Sequence, residues 1–201
     1  MLMNDPIEKK YPAIYLLRPA QLGLNNKNSR IDGWKDTSLN KLEKEETKKI
    51  ASTFSSTSIY RIYSSELSQA RDTAKEIIQV TGASLVIMRD LRSWNIGDLY
   101  DTIDFAGTGV LKEYVKGDTH RSIKNGESFY SFNIRAVDAI NIILDEFELL
   151  KKNIVIVSNY QFIKLIQAWI LAGSVDYKID ADLFMKDDIP PGKIFTITLD
   201  K

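Results

Sequence analysis

Cysteine is absent from the 201 residues, and histidine occurs once, as His120. The lack of cysteine excludes disulfides, thiolate nucleophiles and thiolate-bound zinc. A single histidine excludes every mechanism that needs two imidazole groups. Neither sign of charge is in excess, because basic and acidic side chains balance at 27 each. We therefore expect no nucleic-acid partner and no attraction to a membrane surface.

Long apolar runs are also missing. The runs that occur, such as 154–157, are far too short to cross a bilayer. The first ten residues hold Asn4, Asp5 and Glu8 where a signal peptide would need an apolar segment. These features predict a cytoplasmic protein. The length suits one domain over residues 1–201, and a hydrophobic content of 44% is enough to fill its core.

Hydrophobic patterning predicts strands that alternate with helices. Short apolar runs bounded by turn residues are typical of strands, and amphipathic stretches of period 3.6 are typical of helices. The alternation predicts an α/β fold, a three-layer sandwich with a central, mostly parallel sheet. The predicted strands are 13–18, 59–63, 84–88, 153–157 and 193–199, and the predicted helices are 40–54, 64–80, 101–115, 128–150 and 158–172.

Polar side chains follow two of the most apolar strands. Arg18 comes after the first, and Ser158 with Asn159 comes after the strand 153–157. In an open α/β sheet, ligands bind at the carboxyl ends of the strands. We expect Ser65 and Ser158 to cap the helices that follow, so that unpaired backbone N–H groups would favour an anion there.

The order of several short segments adds information that no single segment carries. The chain reads Arg-Pro-Ala-Gln-Leu at 18–22, followed by Asn25, Arg30 and Gly-Trp-Lys-Asp at 33–36. It continues with Ser-Glu-Leu-Ser-Gln-Ala at 65–70, Leu-Arg-Ser at 91–93, Asn-Gly-Glu-Ser at 125–128, Val-Ser-Asn at 157–159 and Pro-Pro-Gly at 190–192.

This series resembles the histidine phosphatase superfamily, whose members include cofactor-dependent phosphoglycerate mutases. The resemblance implies a phosphoglycerate-mutase-like fold and a phosphate pocket. It also implies that the residues that carry the family's core chemistry are replaced in this chain. The family's nucleophilic His is replaced by Pro19, its second His by Asn159, a phosphate-gripping Arg by Gln69 and the general-acid Glu by Ser93. Arg18 alone is retained.

The resemblance therefore predicts no catalytic residues, because proline cannot attack phosphorus and a serine hydroxyl is a poor acid. It implies that a ligand would contact the side chains that remain around the pocket. Arg18 either grips an anion or is paired within the chain, and internal pairing is the outcome we favour. The predicted ligand-binding residues are Arg18, Asn25, Arg92, Ser158 and Asn159.

Three functional hypotheses follow. The leading one is an inactive phosphatase-like protein that binds a protein partner or a small anionic ligand, with a homodimer left open. The alternative is a phosphatase or mutase of altered mechanism that acts on a small phosphorylated substrate in the same cleft. The third is a scaffold that uses Trp94, Tyr100 and Phe105 as exposed anchors.

No metal and no cofactor are expected, because Asp36, Asp98, Asp101 and Asp104 do not have metal-ligand spacing. His120 is expected in a solvated loop, where it cannot replace the missing pair of imidazoles. Arg71 is expected on another part of its helix surface than Gln69, so it cannot supply the missing cation.

Overall fold

The five predicted strands and one further short strand pair into a six-stranded sheet in the computed structural model, which describes residues 2–3, 11–20, 33–100, 110–186 and 189–198. The strand order is β1-β6-β2-β5-β3-β4. The strands are β1 (Leu2–Met3), β2 (Ile14–Leu17), β3 (Ile59–Ser64), β4 (Ser84–Ile87), β5 (Asn153–Val157) and β6 (Ile194–Ile197).

Most neighbouring strands in this sheet are parallel. β2 pairs with β5, β5 with β3 and β3 with β4 in parallel, whereas β6 is antiparallel to both β2 and β1. Leu17 lies opposite Val157, and Val157 lies opposite Ser64. The prediction that the first long strand lies centrally, beside 153–157, is confirmed. The carboxyl ends of three strands consequently meet at one edge.

Helices cover both faces of the sheet, which confirms the predicted sandwich. α4 and α5 pack on one face, and α1 and α2 pack on the other. The helices are α1 (Lys41–Ser52), α2 (Ser68–Thr81), α3 (Val110–Lys112), α4 (Phe129–Leu150), α5 (Tyr160–Leu171) and α6 (Ala181–Lys186), with a π-helical segment, Glu113–Gly117, directly after α3.

The two cores follow from the alternation of side chains along each strand. In β2, Ile14 and Leu16 point into the core beneath α4 and α5, whereas Tyr15 and Leu17 point toward α1 and α2. Because both faces are covered, the strand is apolar at every position, as parallel central strands usually are. The α4 stripe that the 3.6-residue period predicted, from Phe129 to Phe147, is buried.

Two helix ends confirm their predicted signals. The Asn40 side chain accepts from the Glu43 backbone N–H at 3.0 Å, and the Asn40 backbone N–H donates to the Glu43 carboxylate at 2.9 Å. This reciprocal pair is the capping box expected at the start of α1. Gly82 ends α2 in the left-handed conformation, with φ +67°.

Other predicted boundaries were wrong for identifiable reasons. α2 begins at Ser68 rather than at Ser65, and Leu67 occupies its N-cap position without a side-chain cap. α5 begins after Asn159, so Ser158 does not cap it. The sequence pattern missed β1 and α6, which are both short. Of the predicted helix 101–115, residues 101–109 lie outside the described residues.

Within the ranges that the structure describes, no helix is long and apolar enough to cross a membrane.

Two glycines with positive φ provide a matched test of the packing. A Cβ on Gly97, at φ +43°, would overlap the Lys124 carbonyl oxygen, whereas a Cβ on Gly82 would meet nothing within 4 Å. We expect Gly97→Ala to lower the free energy of unfolding by about 3 kcal/mol or more, because backbone must shift. Gly82→Ala should cost only about 1–2 kcal/mol of conformational strain. Urea unfolding of both variants checks this, and equal losses would contradict the crowding at Gly97.

Candidate functional site

Arg18 lies at the carboxyl end of β2 with only 7% of its surface exposed. Its Nη1 donates to the Ile189 carbonyl, and its guanidinium lies over the Tyr160 ring at 4.8 Å from the ring centroid. A backbone carbonyl and an aromatic face both stabilise a cation. Two neutral groups of the chain itself therefore contact the Arg18 cation.

Pro19 is buried beside Arg18, and the chain before it is bound to the turn that precedes β6. The Gly192 N–H donates to the Arg18 carbonyl at 3.1 Å, and the Arg18 N–H donates to the Lys193 carbonyl at 3.1 Å. These bonds join the predicted Pro-Pro-Gly turn to the end of β2. The strand end is thus fixed by backbone contacts that need no particular side chain at position 19.

Ser93 and Gln161 form a buried pair. The Ser93 hydroxyl donates to Gln161 Oε1 at 2.7 Å, and Gln161 Nε2 is buried without a hydrogen-bond partner. Ser158, which precedes α5, donates its hydroxyl to the Leu91 carbonyl. The segment around Ser93 is therefore attached to the start of α5 by two side-chain bonds.

Asn159 and Ser65 bring neutral polar atoms to the same edge. Asn159 is 6% exposed, and among the described residues neither its Oδ1 nor the fully buried Ser65 hydroxyl has a hydrogen-bond partner. A side-chain amide carries both an acceptor and donors, and rotation exchanges them. Asn159 can therefore meet either a donor or an acceptor of a ligand, but it contributes no charge.

Gln69 lies in the first turn of α2 and is buried, with 1% of its surface exposed. Arg71, two residues on, is exposed. The structure confirms that Arg71 faces elsewhere than Gln69.

Arg92 is held by neighbours rather than left open toward the strand ends. Its Nη2 lies 2.5 Å from Glu66 Oε1, and its guanidinium lies over Trp34 at 4.4 Å from the ring centroid. The Trp34 N–H donates to the Ser93 carbonyl at 2.7 Å. Arg92 thus contributes to the wall that carries Ser93.

Sequence reasoning missed Arg135, which organises this wall from α4. Its Nη2 lies 2.6 Å from Glu127 Oε1 and 3.1 Å from the Ser93 carbonyl, and its Nη1 donates to the carbonyls of Asp90 and Arg92. Glu127 Oε1 in turn accepts from the Asn95 N–H at 2.8 Å. Helical spacing could not have indicated this pair, because Glu127 precedes α4 and lies eight residues before Arg135, whereas neighbours on a helix are three or four residues apart.

A second buried cation was also missed. Lys164 is 8% exposed, and its ammonium donates to the Tyr160 hydroxyl at 3.0 Å. Its spacing from Tyr160 is i, i+4 on α5, which places both on one helix face. Arg18 is therefore accompanied by another positive charge on the same tyrosine.

Trp94 corrects one sequence expectation. It is fully buried and stacks on Phe132, with ring centroids 6.1 Å apart, so it cannot be a surface anchor. Tyr100 is half-buried. His120 is exposed and its ring lies 4.0 Å from that of Tyr130, as expected of a loop histidine. Asn25 and Phe105 lie outside the described residues.

Within the described ranges, no three His, Cys, Asp or Glu side chains come together as a metal site would require.

Comparison with known proteins decides the family. The model of the histidine phosphatase superfamily (branch 1) matches residues 14–181. The chain belongs to this superfamily. No curated protein sequence matches it significantly.

Solved structures share the histidine phosphatase fold over nearly the whole chain. A mycobacterial glucosyl-3-phosphoglycerate phosphatase complexed with VO3 has a TM-score of 0.73 and 21% identity, covering 93% of this chain and 91% of its own. The alpha-ribazole phosphatase of Shigella flexneri gives 0.72 and 21%, covering 94% and 91%. The phosphoserine phosphatase of Entamoeba histolytica, solved with 3-phosphoglyceric acid, gives 0.72 and 19%, covering 92% and 89%.

Asp36 of the Gly-Trp-Lys-Asp segment accepts a hydrogen bond at the start of α2, where Ser65 was expected to be the cap. Its Oδ1 accepts from the Ser68 backbone N–H at 2.6 Å, and this bond lowers the pKa of the Asp36 carboxyl below 3.8. A carboxylate whose pKa is lowered on folding stabilises the fold above its unfolded pKa. That contribution is lost as the pH falls through the folded value.

We expect Asp36→Asn to lower the stability of this histidine phosphatase domain by about 0.3–1 kcal/mol at neutral pH, since the amide keeps an acceptor but removes the charge at a helix N-terminus. The difference should vanish below the folded pKa of Asp36. Urea unfolding of both proteins across the acid range measures it. A difference that persists at the lowest pH would show that the charge is not responsible.

Proposed function

We propose that this member of the histidine phosphatase superfamily is a non-catalytic domain over residues 1–201 that acts by binding. The observation that carries the proposal is the environment of Arg18. Its guanidinium contacts the Ile189 carbonyl and the Tyr160 ring of its own chain. A pocket that binds phosphate instead keeps such a cation available for the phosphoryl oxygens.

The residues aligned with the family chemistry support the same proposal. Pro19 has no nucleophilic atom, Ser93 has no acidic proton near neutral pH, and Gln69 and Asn159 are uncharged. Phosphoryl transfer depends on a positioned nucleophile and on positive charge facing the equatorial oxygens. With all four positions changed together, turnover should be negligible.

The alternative, an enzyme of altered mechanism on a small phosphorylated substrate, draws support from one observation. Lys164 provides a second buried cation beside Arg18. Two cations on one tyrosine could draw an anion toward the pocket. Pro19, at the position of the family's nucleophilic histidine, and the uncharged Asn159, at that of its second histidine, argue against turnover of that anion.

As a binding domain, the protein has two classes of partner consistent with its charge balance: another protein, a second copy of the chain included, or a weakly held small anion. We favour the protein partner, because a phosphate pocket with its cation engaged internally retains little affinity.

Activity is the first test. We expect no hydrolysis of an aryl phosphate and no phosphoglycerate mutase activity above a buffer control. Pro19→His alone should restore none, because Gln69, Ser93 and Asn159 still lack the required charge and acidity. Robust turnover by the native chain that Arg18→Ala abolishes would establish the alternative. A gain from Pro19→His alone would show that the other three positions matter less than we infer.

Arg18→Ala separates a structural arginine from a ligand grip. We expect the free energy of unfolding to fall by about 2–4 kcal/mol, because a buried charged hydrogen bond and its packing are lost. Inorganic phosphate should bind the native protein at about millimolar affinity or weaker, roughly 4 kcal/mol of binding free energy or less. Calorimetry and urea unfolding measure both quantities, with the exposed Arg71→Ala as the matched control. Tight phosphate binding that depends on Arg18 would refute internal pairing.

A further inference from the structure

A cleft of about 570 Å³ opens at the opposite edge of the sheet, where the strands begin. It lies beside the first residues of β3 and β5 and the ends of α2 and α4. This volume falls within the range typical of small-molecule sites. Its lining residues are Tyr11, Pro12, Ser58, Ile59, Tyr60, Gly82, Ala83, Lys151, Lys152 and Asn153.

The charge on this lining has one sign. Lys151 and Lys152 contribute two ammonium groups, and none of the described residues that line the cleft carries a carboxylate. The C-termini of α2 and α4 adjoin the cleft, and each contributes the equivalent of about −0.5 charge. Two lysines exceed that sum, so the cleft keeps a net charge of about +1 and attracts anions.

Lys152 is positioned by an aromatic contact. Its ammonium lies over the Tyr60 ring at 4.6 Å from the ring centroid. The guanidinium of Arg61 also approaches this ring, at 4.9 Å, but Glu146 neutralises it from 2.5 Å. Within the part of the chain that the structure describes, Arg61 is paired with a carboxylate and Lys152 is not.

Lys151 occupies a backbone conformation that favours glycine. It ends α4 with φ +50° and ψ +47°, where helices usually place Gly or Asn. Strain of this kind at a non-glycine residue is a reason to look for a function of its side chain. Here the strained residue supplies one of the two charges of the cleft.

Asn153, which also lines the cleft, is already hydrogen-bonded within the chain. Its side chain accepts from the Ala13 N–H at 2.9 Å and donates to the Ser58 carbonyl at 3.0 Å. Tyr11, Pro12 and Ala83 add apolar surface to the lining, and Tyr11 is 69% exposed. An occupant would thus meet two charges together with an aromatic and apolar surface.

We propose that this cleft, which we name the amino-edge cleft, binds an organic phosphate: a multiply charged phosphate group attached to a flat apolar ring. The phosphate lies against Lys151 and Lys152, and the ring lies against Tyr11 and Pro12. The site is separate from Arg18, at the other edge of the sheet, so it does not depend on the proposed function.

Calorimetric titration with ADP tests the proposal, with pyrophosphate and adenosine as probes of the charged and apolar parts alone. We expect ADP to bind more tightly than either part, and its affinity to fall as salt is raised. Lys151→Ala with Lys152→Ala should weaken ADP binding about tenfold or more, since each ammonium is a point charge for phosphate. Lys44→Ala with Lys48→Ala removes the same charge from exposed positions of α1 and should leave binding unchanged.

Lys151→Gly distinguishes a loss of ADP binding from a loss of stability. Glycine relieves the left-handed conformation, so this variant should unfold at higher urea than the native protein while it binds ADP less tightly. Three outcomes would overturn the proposal: no ADP binding by the native chain, an equal loss in the α1 control, or loss of ADP binding in an Arg18→Ala protein that urea unfolding shows to be folded. The last would place the ligand at the carboxyl edge instead.

Discussion

The register between β2, β5 and β3 is the constraint on which the rest of the molecule depends. Leu17, Val157 and Ser64 lie side by side across three parallel strands. A slip of one residue would exchange the side chains of a strand between the two cores. Both cores are apolar and closely packed, so the register is fixed. The chain leaves all three strands at the same level, and this alone brings Arg18, Ser65 and Asn159 to one edge.

A second constraint comes from α4 rather than from the sheet. Arg135 binds three backbone carbonyls of the segment that follows β4, and Glu127 neutralises it. Because the arginine holds main-chain oxygens, the path of that segment does not depend on which side chain stands at position 93. The wall of the pocket therefore persists whether or not position 93 carries an acid. The same holds at β2, where Gly192 binds the Arg18 carbonyl.

The fold was predictable to the extent that burial and capping are local. The sequence pattern correctly predicted the apolar strand β2, the buried stripe of α4 and the capping box at Asn40, because each depends on residues that are close together in the chain. The start of α2 was not readable locally, since its anion comes from Asp36, 32 residues earlier in the chain. Short elements such as α6 contain too few residues for a hydrophobic period to be recognised.

The candidate site was predictable in position but not in its contacts. The order of segments placed Arg18, Ser93 and Asn159 at one edge. Nothing in that order indicated that Tyr160 would cover the arginine, that Gln161 would accept from Ser93, or that Lys164 would be buried nearby. The first two contacts depend on side chains of α5 meeting residues more than sixty positions away in the chain. The family pattern describes only the positions that carry its chemistry.

The two pairs in this pocket couple the effects of substitutions. Ser93 is hydrogen-bonded to Gln161, and the Arg18 guanidinium lies over the Tyr160 ring, so a change at one member of a pair alters the surroundings of the other. A glutamate at 93 would require the Gln161 amide to turn its nitrogen toward the carboxylate, and a smaller residue at 160 would uncover a buried guanidinium. The effects of substitutions at the two members of a pair are therefore not additive. Any change of chemistry in this pocket involves α5 as well as the strand ends.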